Sequence, residues 1–242
     1  MLRDLIVAIL LFICAAPILA QESNPVLRYD PSGSSGWYPY YISSSRPKGI
    51  AAEAVQAILK TANIDGEFVD LPPKRTRLAL QTGDIDFDLI SPAWLPNKAA
   101  ARQFVFSDPI IRIKEHFVYL KTTPPPDTLF SALSEKPPIA TVRGYYYHDE
   151  AHFQRIDFSS ERAIIQALDK GRIKYAICGD LPALFWAKRL NVDIKIGAIH
   201  SDDFLAMRLL ARHKHLMPRI NQAIQSLKKK GFIDALVEKY KY

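Results

Sequence analysis

Cysteine is scarce in this chain, with two residues in 242, Cys14 and Cys178. Cys14 falls in an N-terminal segment that reads as removable, so Cys178 has no internal partner and no disulfide framework holds the fold. Stability must come from packing. Long hydrophobic runs are lacking too. The longest, Leu5 to Ala16, is about a dozen residues, short of the ~20 that a membrane-spanning helix needs. With Arg3 before it and Ile18-Leu19-Ala20 after it, residues 1–20 read as a signal peptide cut before Gln21; a retained anchor is the rival reading. Cys14 lacks the preceding small residue of a lipoprotein site. Glycine-rich phosphate loops and nucleophile elbows are also absent, which excludes the nucleotide-hydrolysing and serine-esterase classes those motifs define. Runs of one charge are confined to Lys228–Lys230, before Gly231, where cations complement a helix C-terminus. The formal net charge of +7 is otherwise scattered, so nucleic acid is not an expected partner.

What is present is an ordinary globular composition, 48% hydrophobic and 24% charged, in which one phrase is written twice. "ALQTGDIDFDLI", Ala79 to Ile90, returns as "ALDKGRIKYAI", Ala167 to Ile177. Each copy ends an apolar-periodic helix, stops it at Gly83 or Gly171, and continues into an alternating strand. Around the first copy the order is strand ("PVLRYD"), helix ("IAAEAVQAILKTAN"), strand ("GEFVDL"), helix after Pro73, strand, which predicts a parallel sheet. "TTPPPDT" then interrupts the pattern, since three consecutive prolines continue neither sheet nor helix. A second, smaller unit follows: strand "PIATV", helix "SSERAIIQALDKG", strand "IKYAIC", helix "LPALFWAKRL", strand "VDIKIG". "DFLAMRLLARHK" alternates as a further strand, and two helices close the chain. If that tail packs on the first unit, the chain crosses twice between lobes, which makes a hinge and a groove.

Ligands of open α/β sheets sit off the carboxyl ends of strands. Those ends carry "SPAW", with Ser91 and Trp94, after the first copy, and "CGDLP", with Asp180, after the second. Arg75, early in the helix that follows Pro72-Pro73, lies at such an end as well; a surface ion pair is its alternative. "HDEAH" sets His148 and His152 four apart, yet Asp149 stands where a zinc protease has Glu and no third ligand is evident, so no metal is expected. No catalytic dyad and no cofactor are expected either.

Taken together, "WYPYY", "KGIAAEAVQAIL", "LALQTGDIDFDLI", "FVFSDPI", "ERAIIQALDKGRIKYAICGD" and "INQAIQSLKKKGFIDALVEKY" resemble, in order and spacing, the bacterial extracellular solute-binding proteins of family 3. The likeness runs over essentially the whole mature chain. It implies a two-lobed α/β periplasmic-binding-protein-like fold (type II), mixed sheets, and two crossover hinge strands. Lobe 1 would comprise residues 21–121 plus 201–242, and lobe 2 residues 122–200. It implies a non-catalytic monomer in the periplasm that closes on a small polar solute and serves an ABC permease. The family's carboxylate-gripping Arg is missing from its expected position; Lys98 or Arg102 would have to replace it. Asp180 matches the family's acceptor for a ligand ammonium, and a helix-capping role is equally open. Tyr145 stands where a small hydroxyl residue is common, which implies a small or planar solute, and Tyr38, Tyr40 and Trp94 would add aromatic walls. Trp37 reads rather as packing under the loop. The family also implies two alternatives: a sensor for a signalling partner, or a dehydratase built on the same fold.

Overall fold

The computed structural model describes residues 24–31, 37–42, 48–95, 103–125 and 136–240. Residues 1–20, read above as a signal peptide, lie outside the described residues, as do Lys98, Arg102 and the end of "TTPPPDT".

The first unit follows the expected alternation: β1 (Val26–Asp30), α1 (Ile50–Thr61), β2 (Asp65–Phe68), α2 (Pro73–Thr82) and β3 (Phe87–Ile90). β1 lies parallel to both β2 and β3. The predicted face of α1, Ile50, Ala54, Val55, Ile58 and Leu59, is buried throughout. Its first turn rests on a close approach: at Gly49, φ is 109° and an added Cβ would sit 2.5 Å from the Tyr40 carbonyl oxygen. Only glycine fits there. Gly83 ends α2 in the left-handed conformation, φ 82°, as its place in the repeated phrase predicts.

β4 (Phe104–Phe106) and β5 (Ile111–Leu120) come next, then β6 (Pro138–Val142), β7 (Gln154–Phe158), α3 (Glu161–Asp169), β8 (Ala176–Gly179) and α4 (Asp180–Leu190). β9 (Ile194–Leu210), α5 (Met217–Lys229) and α6 (Phe232–Tyr240) complete the described chain. Three details depart from the sequence pattern. "VDIKIG" and "DFLAMRLL" are two ends of the one strand β9, because the polar residues between them pair with β5 and need no turn. β7 is an edge strand bonded to β6; its "QRIDF" alternates only through Ile156 and Phe158, which pack on the second core, too short a pattern to announce a strand. β8 begins at Ala176, so Ile173 precedes it.

The strands form one curled mixed sheet in the order β2-β1-β3-β9-β5-β8-β6-β7, with β4 also on β9. Its side chains pack into separate cores. One joins Leu27, Phe87, Ile111, Ile113, Leu205 and Met207 to α1, α5 and α6. The other joins Val118, Ala140, Ala176 and Ile194 to α3 and α4. A smaller cluster gathers Phe117, Ile139, Tyr147, Phe153 and Ile177. Among the described strands β5 and β9 supply buried residues to both larger cores, so the chain crosses between them twice, and α5 and α6 return to the first.

Candidate functional site

β5 explains how a charged group reaches the middle of the molecule. Along "IRIKEHFVYL", Ile111, Ile113, Glu115 and Phe117 share the buried side of an alternating strand. Glu115 is therefore an acid at an apolar position, 6% exposed. Its Oε2 accepts hydrogen bonds from Trp94 Nε1 at 3.1 Å and from Ser201 Oγ at 2.6 Å. Trp94 comes from the short 3-10 turn after β3 and Ser201 lies opposite Glu115 on β9.

Around Glu115 opens a cleft of about 580 Å³, partly continuous with solvent, to which both units contribute. Trp37, Arg77 and Trp94 line it from the first unit, Tyr145 and Tyr146 from the second. A deeper extension of about 290 Å³ shares Trp37, Trp94, Glu115 and Tyr145 and reaches Glu161. Tyr145 Oη donates to Glu161 Oε1 at 3.2 Å. Aromatic walls with a few placed polar groups are the usual build of a small-molecule pocket.

Two further cations stand at the cleft. The Arg77 guanidinium lies 4.7 Å from the centre of the Tyr146 ring and so joins α2 to the turn after β6. Arg208, 5% exposed, faces Asp88 directly across the β3–β9 pair. Its Nε and second guanidinium nitrogen donate to the two carboxylate oxygens at 2.9 and 2.5 Å, a bidentate fork. Burial drives the Asp88 pKa upward against the pull of Arg208. This pair is internally satisfied, whereas Arg77 keeps its guanidinium against a ring.

Behind Glu115 sits His200. In the β5–β9 register Glu115 opposes Ser201 and His116 opposes Ile199, so His200 is the extra residue of a bulge. Its side chain is 2% exposed. Nε2 lies 2.8 Å from Asp149 Oδ1 and Nδ1 lies 3.7 Å from Glu115 Oε2. Burial alone would lower the His200 pKa, but the two carboxylates outweigh it and hold it up at about 9. An imidazolium there balances the Glu115 charge.

The residues expected at the site distribute unevenly. Trp94 and Tyr145 line the cleft. Tyr38 stacks on Phe185 of α4, ring centroids 3.6 Å apart, at a contact between the units beside the cleft. Tyr40, 1% exposed, and Trp37, 5% exposed, both pack in the first core with ring centroids 4.7 Å apart, so Trp37 packs beneath the loop as expected and in addition borders the cleft, whereas Tyr40 does not line it. Arg75 is exposed on α2, and Arg77, two residues on, takes the cleft position because helix geometry rotates it there. Ser91 is wholly buried and donates to Asp203 Oδ2 at 2.6 Å, tying the end of β3 to β9. Asp180 is the first residue of α4, after the capping position Gly179, and its Oδ1 accepts from the adjacent Leu181 amide at 2.7 Å, which is not a side-chain cap; Gly179 lines the deep extension. Glu115, Arg77, Tyr146 and Arg208 escaped the sequence, although Glu115 and Arg208 each break an apolar alternation.

Comparison with known proteins places the chain. A family model described as bacterial extracellular solute-binding proteins, family 3, matches residues 33–241. No curated protein matches the chain by sequence. Among solved structures, the substrate binding protein of an amino acid ABC transporter is 21% identical, with TM-score 0.72 over 89% of this chain and 98% of that one. A mutant of ArgBP from T. maritima is 18% identical, with TM-score 0.70 over 89% and 94%. A histidine kinase sensor domain with similarity to periplasmic binding proteins is 19% identical, with TM-score 0.69 over 90% and 95%. At these identities the likeness establishes the two-lobed periplasmic-binding-protein-like fold. Among the described residues no helix is long and apolar enough to cross a membrane.

Proposed function

From the premise that the chain belongs to the bacterial extracellular solute-binding proteins, family 3, we propose that it captures an amino acid or related small polar solute in the interlobe cleft. The capture takes place in the periplasm and supplies an ABC importer. Lobe 1 is assigned to residues 21–121 plus 201–242 and lobe 2 to residues 122–200, with β5 and β9 shared between them.

One observation carries this reading: a buried carboxylate, Glu115, is held at the floor of a cleft whose walls are Trp37, Trp94 and Tyr145. Oε2 is engaged by Trp94 and Ser201, and the carboxylate keeps capacity for a further charge-assisted bond from a solute ammonium. Arg77 at the cleft edge offers a planar fork to a solute carboxylate. Removing water from between the rings strengthens both contacts. Lys98 and Arg102 remain proposed contributors, as does Asp180 through the end of α4. The role is binding and not catalysis, so prephenate or arogenate incubated with the protein yields no aromatic product.

The experiment is a thermal-shift screen of amino acids and related metabolites followed by calorimetry. One solute class is expected to bind at one site with micromolar or tighter affinity. A complete screen without a binder in that range overturns the receptor role. Likeness to a kinase sensor domain supports a second reading, in which occupancy is reported to a signalling partner. A permease gene beside this one favours delivery, and a sensor-kinase gene favours reporting.

A further inference from the structure

His148, Asp149 and His200 place one ligand atom each within 4.8 Å of one another, outside the cleft lining. We infer that these three side chains form a binding site for a divalent transition-metal ion of the zinc type. The site is distinct from the solute cleft.

Ligand chemistry comes first. Two imidazoles and one carboxylate suit zinc and its neighbours, and three protein ligands leave a fourth position for water. The backbone supplies the convergence. The bulge in β9 directs His200 inward, and the turn after β6 brings His148 and Asp149 to meet it. The His148 and His200 rings lie 4.7 Å apart between centroids, tilted by 36°. The pair His200 Nε2 and Asp149 Oδ1, 2.8 Å apart, now shares a proton whose place a cation would take.

The buried side of the cluster is compatible with a ligating His200, whose far nitrogen faces a carboxylate. His200 is 2% exposed at its side chain, and its Nδ1 is buried without a hydrogen-bond partner. The nearest acceptor is Glu115 Oε2 at 3.7 Å. A metal-bound imidazole ordinarily directs its second nitrogen to a carboxylate, which fixes the tautomer and raises the ligand's basicity. A small shift of His200 towards Glu115 gives that arrangement. His148 is exposed, so a hydrated ion can enter. Occupancy would tie the turn carrying Tyr145 and Tyr146 to the hinge strand β9, linking metal to solute affinity in both directions.

The test is calorimetry of zinc chloride into chelator-treated, untagged protein at pH 8, without solute. Wild type is expected to bind one equivalent with micromolar or tighter affinity. His148→Ala should weaken binding at least ~10-fold; since His148 is exposed, its metal-free melting temperature should match wild type. His152→Ala, an exposed histidine outside the cluster, should bind as wild type does. Absence of saturable binding, or equal loss in His148→Ala and His152→Ala, or none in either, overturns the site. Solute binding by the same metal-free protein is measured separately, so the cleft reading stands or falls without it.

Discussion

Glu115 shows what a single residue does here. An acid set on the buried side of β5 is expensive unless its oxygens are satisfied. Trp94 Nε1 and Ser201 Oγ bond Oε2 at 3.1 and 2.6 Å, and the His200 ring 3.7 Å away adds a favourable charge without a hydrogen bond. Glu115→Gln keeps the shape and an acceptor but loses the charge. Solute affinity is expected to fall by roughly 10–100-fold, the worth of a charge-assisted bond, while Arg75→Ala, exposed and outside the cleft, leaves it unchanged; titration calorimetry of both variants checks this. Asp86 illustrates a residue that holds structure. Burial opposes its ionisation, but hydrogen bonds from Arg212, the Arg28 amide and His213 outweigh burial and lower its pKa. A lowered carboxylate pKa stabilises the fold above the unfolded value, near ~3.9, and that contribution fades as pH falls through the folded value. Asp86→Asn should therefore be less stable than wild type at pH 6, with the two converging below pH 4; urea denaturation across that range measures it.

At the scale of elements, β3 and β9 join through a buried ion pair. Asp88 and Arg208 face each other in register and bond through both oxygens. Removing one partner strands a charge. Arg208→Leu is expected to cost about 3–5 kcal/mol of stability, read by chemical denaturation, and Arg208→Lys to recover part of it only, since a point charge lacks the fork. These strands also show how much was legible beforehand. The helices carry three-to-four periodicity, and Gly83, Gly171 and Gly231 follow α2, α3 and α5, so α1 to α6 could all be read from sequence. β7 could not, because its alternation is only two apolar residues long, Ile156 and Phe158. β9 looked like two strands, because its central stretch is satisfied by pairing with β5 rather than by burial. The same reasoning divides the site. Trp94 and Tyr145 sit at strand ends, where position predicts a ligand, whereas Glu115 and Arg208 lie mid-strand and show only as charges on apolar faces. Tyr40 and Trp37 both turn inward, and only Trp37 also reaches the cleft, because which aromatic of a loop borders a pocket depends on the packing beneath it.

Among the described residues the molecule is two large cores and one smaller cluster on one sheet, with β5 and β9 joining the large ones. Beyond these strands the described conformation holds the units together through Leu181 of α4 on the first core and through two ring contacts, Tyr38 on Phe185 and Arg77 on Tyr146. Each ring contact is of modest strength, on the order of 0.5–1.5 kcal/mol, which suits a clamp that must also open. Tyr38→Ala combined with Tyr146→Ala should favour the open state. Small-angle scattering of the solute-free double variant is expected to show a larger radius of gyration than wild type. An unchanged radius would mean that the hinge strands alone set the closure.

The most direct measurement is a crystal structure of the protein with the solute selected by the screen. Density for that solute is expected between Trp37, Trp94 and Tyr145, with a polar atom bonded to Glu115 and both units in contact with it. Solute bound elsewhere on the surface, or bound in the cleft without touching one of the two units, contradicts the clamp.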